Sequence, residues 1–415
     1  MVHRRDAYPE KIANGFKYVP IIVLIGARQV GKTSIMKDFG ENMTAGKTCI
    51  FLNGQDPEIS ALFQKLTILE SYLKAHINPG LEGFLLLDEF QFIPGISTML
   101  KVLTDKHQNL KVLCSGSSSL DILSRVEESL AGRVRTIEVL SLSFAEYLLF
   151  NDRELSALYR SLDAATPTSA LTAPIETLFN EYLVYGGLPR LALTRSHEEK
   201  IEILNDIYQT YLLQDIRTYI SRDNIVGLNK LLRIAASQTG NLVNVNALSR
   251  DCGLSYKTCE EYLNILEQMG IIKMLEPYFV NRQKVIGKMK KLYFLDLGLR
   301  NMIEKNFTSI DYRPDNGALF ENLVMLELWR VKGTGGELQF FRTSDGAEVD
   351  FVVNRLGKKA AIECKFKFLT KPISLAAFNH FCDSESIQER YIVNRSLNAE
   401  HPNAKFLQGF FAGKI

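Results

Sequence analysis

Short unbroken apolar runs alternate along the first third of the chain with stretches whose apolar positions recur every three or four residues, which predicts strands alternating with helices. Val19 to Ile25 is such a run, and it breaks at Gly26 into a loop followed by a helix expected from Lys32 through Phe39. TCIFLNG (Thr48 to Gly54) predicts a second strand, and Glu58 to Ala75 has helical spacing. GFLLLDEFQ (Gly83 to Gln91) and Leu110 to Cys114 predict two more strands. The four consecutive apolar residues Phe84 to Leu87 suit a central parallel strand covered on both faces. LAGRVRTIEVLSLSF (Leu130 to Phe144) contributes a glycine, two arginines and a further strand.

The pattern then changes. Asp152 to Pro174 is polar and reads as a connection or small insertion, and Pro174 to Tyr219 is helical again, interrupted at Gly186, Gly187 and Pro189. From Gly227 to Phe294 the order is helix (Leu228 to Thr239), short helix (Val245 to Cys252), the turn Gly253-Leu254-Ser255, a longer helix (Tyr256 to Met269) and two β-like runs, Ile271 to Val280 and Met289 to Leu295. That is the order of a winged helix-turn-helix. GALFENLVMLELWR (Gly317 to Arg330) predicts a helix. Leu338 to Arg342 and Glu348 to Val353 predict strands joined across Asp345-Gly346, and Lys359 to Phe366 a third strand after Leu356-Gly357.

The 415 residues are enough for two to four domains, and 23% charged with 46% hydrophobic residues is ordinary for a globular protein. A formal net charge of +2 confines any nucleic-acid surface to a local patch. No apolar run approaches the length of a membrane span, and MVHRRDAYPEK lacks the apolar segment of a signal peptide, so a cytoplasmic location and no membrane partner are expected. The six cysteines form no CxxC pair and the six histidines no HxxxH spacing, so neither a zinc module nor a disulfide framework is predicted.

Candidate chemistry begins in the first loop. GARQVGKT matches the phosphate-binding pattern GxxxxGK[ST], in which glycines turn backbone N–H groups towards phosphate, the Lys ammonium reaches the outer phosphates and the Thr hydroxyl sits on Mg²⁺. Gly26, Ala27, Arg28, Gln29, Val30, Gly31, Lys32, Thr33 and Ser34 are therefore candidates for binding ATP, aided by the positive end of the following helix dipole. The strand before Asp88 and Glu89 delivers both acids at its carboxyl end, where open α/β sheets place their chemistry. Asp88 would hold Mg²⁺ with Thr33, and Glu89 would polarise the attacking water. Ser115 or Ser117, at the tip of the neighbouring strand, can sense the terminal phosphate or cap a turn. Arg133 or Arg135 can act as an arginine finger or as a plain surface ion pair.

GARQVGKT, LLLDEFQ, CSGSSS, LAGRVRTIEVLSLSF and YGGLPR together resemble the AAA+ ATPases of bacteria and archaea that carry a restriction-endonuclease-like C-terminal region. Ser115 stands where a threonine is usual, and Ser141 where a proline usually precedes LSF. The resemblance implies a P-loop AAA+ parallel sheet over 1–165 and a helical lid over 166–225. Beyond them it places a winged helix over 226–296 and an α/β nuclease-like domain over 297–415. It also implies that Arg190 folds over the nucleotide as a second sensor, the alternative being an arginine at a helix start facing solvent, and that the chain can form a homo-oligomer.

In the last segment, a Leu356-Gly357 hairpin makes Arg355 face Lys358 and places Asp350 opposite Glu363, with Lys365 on the face of Glu363. Opposed carboxylates need something positive between them. A divalent ion and Lys365 would supply it, with Glu321 completing the cluster, which is the layout of PD-(D/E)xK nucleases. Asp350, Glu363 and Lys365 are the candidate catalytic residues, and Glu321, Asp350 and Glu363 the candidate metal ligands. The alternative is a strand-edge salt bridge in an inactive fold. Arg282, Lys284, Lys288, Lys290 and Lys291 make a basic wing suited to phosphate contacts, whereas Glu260, Glu261 and Glu267 on the helix before it oppose groove binding. An Mg²⁺-dependent ATPase acting on DNA is expected, with a regulatory or scaffolding switch as the rival.

Overall fold

The computed structural model describes residues 4–44, 46–77, 83–117, 130–163, 172–210, 216, 220, 224–279, 289–343 and 346–415, and of Ser117 the backbone only. The chain divides into two compact units, the first essentially Met1–Leu140 and the second the remainder to Ile415.

In the first unit, β1 (Ile21–Gly26), β2 (Thr48–Asn53), β3 (Gly83–Asp88), β4 (Leu110–Ser117) and β5 (Val134–Glu138) form a parallel sheet in the order β2-β3-β4-β1-β5. The central strands are buried on both faces. Ile21, Val23, Leu85, Leu87, Val112 and Cys114 pack into one core cluster with helices 66–76 and 96–106. On the opposite face, Phe39 of the helix Lys32–Asn42 meets Phe16 and Phe84, with ring centroids 5.5–5.8 Å apart. Each such buried side chain contributes roughly 1.5–3 kcal/mol. The expected helix over Glu58 to Ala75 is two, Pro57–Leu62 and Leu66–His76. Asp56 caps the first, its carboxylate accepting from the Glu58 N–H.

The first unit ends at Leu140, short of the boundary at 165 expected from sequence. Helix Phe144–Asn151 carries a Ser143–Glu146 capping box, and helix Arg153–Ser161 follows directly. Asp152 starts that second helix by accepting from the N–H groups of Glu154 and Leu155, so the stretch expected to be a connection is helical as far as Ser161. Tyr159 stacks on Phe411, and its hydroxyl donates to the Phe410 carbonyl, anchoring the helix to the C-terminal turn. Helices Ala173–Tyr185, Pro189–Leu193 and His197–Ile207 come next. Gly186, at φ 77°, breaks the first of them where a Cβ would lie 2.4 Å from an Asp296 carboxylate oxygen.

Helices Ile225–Ser237, Val245–Cys252 and Tyr256–Gln268 precede the antiparallel pair β6 (Ile272–Leu275) and β7 (Lys291–Phe294). Residues 280–288, including Arg282, Lys284 and Lys288 of the expected wing, lie outside the described residues. After helices Leu297–Glu304 and Asn316–Val331, a sheet forms from β8 (Glu337–Arg342), β9 (Glu348–Arg355), β10 (Lys358–Lys365), β11 (Glu389–Asn394), β12 (Ala399–His401) and β13 (Ala404–Gln408). Its order is β12-β13-β11-β10-β9-β8. Arg355 faces Lys358, as the loop length predicts, and the register runs to Ile362 facing Phe351, one pair short of Glu363 and Asp350. Asp345 of the other expected hairpin turn lies outside the described residues, although β8 and β9 do pair antiparallel.

Candidate functional site

The order of the first sheet sets the geometry of its carboxyl edge. β4 lies between the strand that feeds the phosphate loop and the strand that carries the acids, with Leu24 beside Ser115 and Leu87 beside Cys114. Asp88 and Ser115 therefore end side by side. The buried Ser115 hydroxyl donates to one Asp88 oxygen, and the Thr33 hydroxyl donates to the other at 2.8 Å. Glu89 turns off the strand in a left-handed conformation, φ 51°, and its N–H donates to the Ser115 hydroxyl oxygen at 3.3 Å. Its carboxylate accepts from the Gln91 side chain. A non-glycine residue held this way costs on the order of 1–2 kcal/mol and aims the carboxylate away from the strand path.

The loop itself reaches the helix through Gly31, whose φ of 95° suits glycine. Arg28, Gln29 and Ser34 are exposed, Thr33 is half-buried and Lys32 is buried. The Lys32 ammonium donates to the carbonyls of Gly26 and Ala27, each at 2.9 Å. Burial lowers its pKa to about 8, and nearby Glu89 and Asp88 only partly oppose that. A buried ammonium bonded to neutral carbonyls still has room in its charge balance for phosphate.

Arg5, to which the sequence pattern assigned nothing, supports this loop from behind. Its guanidinium Nη1 donates to the Val30 carbonyl at 2.9 Å and to the Leu140 carbonyl at 2.8 Å, and the group lies 4.6 Å from the Tyr8 ring centre. The sequence offers only a charged residue two positions before an amphipathic helix, Ala7–Gly15, as a hint.

Neither candidate finger lies near the loop of its own chain. β1 and β5 are parallel with Ile21 beside Val134 and Ile22 beside Arg135, which puts Arg133 and Arg135 at the edge of the sheet opposite the phosphate loop. Arg133 pairs with Asp105 at 2.6 Å, and the Arg135 guanidinium sits 5.2 Å from the Tyr18 ring centre. A finger role towards the chain's own nucleotide is thereby corrected to a surface pair and a cation–π contact. Arg190 is exposed on its five-residue helix in the second unit. The Ser117 side chain is outside the description.

The second constellation is built differently. Glu321, on helix Asn316–Val331, accepts at one oxygen from the Lys291 ammonium at 3.0 Å and from the Tyr293 hydroxyl at 2.7 Å. The same ammonium pairs with Glu348, and Lys291 is only 2% exposed. Asp350 accepts from the Cys364 N–H at 2.7 Å, and Glu363 from Lys365 at 2.6 Å. Burial raises the Asp350 carboxyl well above its usual range, reinforced by Glu321 and Glu363 and opposed by Lys291. Burial works against the Lys291 ammonium, yet Glu321, Asp350 and Glu348 outweigh it and hold the lysine above its usual pKa.

Glu321, Asp350 and Glu363 do not present a ready divalent site. Each spends an oxygen on a protein donor, and no group of three acidic, His or Cys residues among the described residues is set to hold an ion. A divalent ion held by Glu321 would share that carboxylate with the Lys291 ammonium, and the two like charges repel. Lys291 is also removed from the expected basic wing, and Lys290 pairs with Glu276 at 3.1 Å.

Comparison with known proteins agrees with the first unit. Residues 18–148 match the family described as "AAA domain", residues 176–309 "Domain of unknown function (DUF8612)" and residues 316–407 "Domain of unknown function (DUF4143)". The first unit carries a P-loop domain of the AAA type. An uncharacterized protein of Mycobacterium tuberculosis is 25% identical over 368 residues, covering 88% of this chain and 74% of its own. One of Methanocaldococcus jannaschii is 26% identical over 362 residues, covering 85% and 75%. The Walker-type ATPase of Pyrococcus abyssi shares the fold with a TM-score of 0.50 at 14% identity, over 73% of this chain and 96% of that one. No helix among the described residues is long and apolar enough to cross a membrane.

Proposed function

We propose that the protein binds and hydrolyses ATP with Mg²⁺ at the carboxyl edge of the first sheet. The observation that carries this reading is the Thr33–Asp88 hydrogen bond at 2.8 Å beside the buried Lys32. It joins the hydroxyl and the carboxylate that a phosphate-bound Mg²⁺ needs on one side of the loop. Thr33 and Asp88 would hold that ion, which when bound draws charge from the phosphate oxygens. Loop N–H groups and Lys32 bind the triphosphate, Glu89 orients the attacking water, and Ser115 fixes Asp88 while sensing the terminal phosphate. Arg190 serves as a second sensor.

Nucleotide state is transmitted to the second unit, which acts on or is regulated by nucleic acid. The three helices 225–237, 245–252 and 256–268 with the β6–β7 pair support a winged helix-turn-helix, and the β8–β10 segment with Asp350, Glu363 and Lys365 supports a nuclease-like fold. A second reading, a nucleotide-dependent regulatory switch with an inactive nuclease fold, is favoured by Lys291 among the acids.

Lys32→Ala is expected to reduce ATP turnover on the order of 10²-fold or more in the purified protein. Unchanged turnover would overturn the site. Measuring turnover with and without DNA and RNA separates the two readings of the second unit: stimulation supports a nucleic-acid partner, and none supports the switch.

A further inference from the structure

The strand β7 contributes three anchors, Lys291, Tyr293 and Phe294, to the helix Asn316–Val331. Lys291 and Tyr293 both donate to Glu321, and the fully buried Asn322 brackets Phe294, its carbonyl oxygen accepting from the Phe294 N–H and its amide donating to the Phe294 carbonyl, each at 2.8 Å. Lys291 reaches further, to Glu348 at the start of β9, with the Phe340 ring centre 5.5 Å away. The chain leaving β6 pairs with the edge strand β8 of the large sheet, the Tyr278 N–H donating to the Phe340 carbonyl at 2.6 Å and the Phe340 N–H to the Glu276 carbonyl at 3.2 Å. The β6–β7 pair is thus docked on the nuclease-like sheet by backbone, amide and charge.

We propose that Lys291 takes the place of the divalent ion in this acidic cluster, so that Glu321, Glu348 and Asp350 form a charge core that latches the β6–β7 pair to the sheet and does not cleave nucleic acid. Each carboxylate already has a protein donor, and the ammonium is sequestered from solvent against two of them, Glu321 and Glu348, with Asp350 near enough to act on it electrostatically. Glu363 keeps one buried oxygen without a hydrogen-bond partner. The second oxygens of Glu321 and Asp350 also accept from no donor among the described residues, so what keeps a divalent ion out is the ammonium already seated between Glu321 and Glu348, and not a shortage of oxygen ligands.

This inference stands apart from the ATPase reading, because its test uses no nucleotide. Mn²⁺ would be titrated into the full-length, nucleotide-free protein and followed by loss of the free-ion electron paramagnetic resonance signal. Wild type, Asp350→Asn and Glu363→Gln, both isosteric, are expected to bind equal amounts. One more equivalent in wild type than in either variant would overturn the proposal. Lys291→Met, which removes the resident cation, is expected to gain about one equivalent that disappears when Asp350→Asn is added. A folded Lys291→Met protein that gains none overturns it as well, and if that variant does not fold, the comparison of wild type with the isosteric variants decides alone.

Discussion

Each unit has a buried lysine at its charged centre, and the two are in opposite situations. Lys32 donates to two neutral carbonyls, and burial brings its pKa down to about 8. Lys291 is buried just as deeply but is paired with two carboxylates and raised above the ordinary lysine value. A buried cation whose partners are dipoles is unfinished until an anion arrives. One whose partners are carboxylates is complete. The difference marks the first centre as a place to bind polyphosphate and the second as part of the structure, although both follow sequence patterns that read as chemistry.

Removing the lysine at the second centre gives the largest effect expected from this contrast. Lys291→Met should destabilise the second unit by about 3 kcal/mol, the low end for breaking a buried pair, since it leaves the partly exposed Glu321 and Glu348 and the buried Asp350 without their cation. Adding Glu321→Gln and Glu348→Gln should restore much of the loss, because the charges are then removed together. Chemical denaturation of the single and triple variants checks this. A single variant as stable as wild type would mean that the lysine is not a structural cation and would dissolve the contrast.

The strands of the first sheet and the pairing of Arg355 with Lys358 were legible because each rests on a local rule: an apolar run bounded by a turn, and a two-residue hairpin loop. So was the meeting of Thr33 with Asp88, which a loop motif and an acid at a strand end imply together. What escaped was decided by contacts distant in sequence. Lys291 read as one of five basic residues in a loop, and nothing local indicates that its side chain turns inward to Glu321, thirty residues on. Arg133 and Arg135 sit at the start of β5, beside the strand that feeds the loop, and the parallel register sends them to the far edge. Asp152 to Ser161 has few apolar residues, yet one cap and the burial of Tyr159 suffice for a helix.

A pH dependence sharpens the first half of the contrast. The folded Lys32 titrates near pH 8 and its unfolded counterpart at 10.5, so the unfolded state binds more protons in that window and this group's unfavourable contribution to stability fades as pH rises through it. For the ligand the sign is reversed. Bound triphosphate favours the charged ammonium, so ATP binding takes up a proton above about pH 8, and affinity falls up to about tenfold per pH unit there. Calorimetry in two buffers of different ionisation enthalpy, at about pH 6.5 and about pH 9, measures the uptake. Uptake at the higher pH that vanishes in Lys32→Met is expected; the same proton count at both pH values would show that Lys32 is charged throughout.

The smallest effect expected concerns how the loop is held and not what it binds. Arg5 uses one guanidinium nitrogen to fix the Val30 and Leu140 carbonyls, linking the middle of the phosphate loop to the residues just after β5. Lysine keeps the charge but replaces the planar fork with a single flexible ammonium, which does not hold both carbonyls and the face of Tyr8 with the same geometry. Arg5→Lys should raise KM for ATP by roughly three- to tenfold while lowering kcat by less, because the loop N–H groups then have to be ordered by the phosphates themselves. Its global stability should fall by roughly 1 kcal/mol, the net worth of one such hydrogen bond. A fall in stability with an unchanged KM would limit Arg5 to packing. A rise in KM that Arg5→Lys shares with Tyr8→Phe would place the Tyr8 hydroxyl, 3.4 Å from the Leu140 N–H, in the same support.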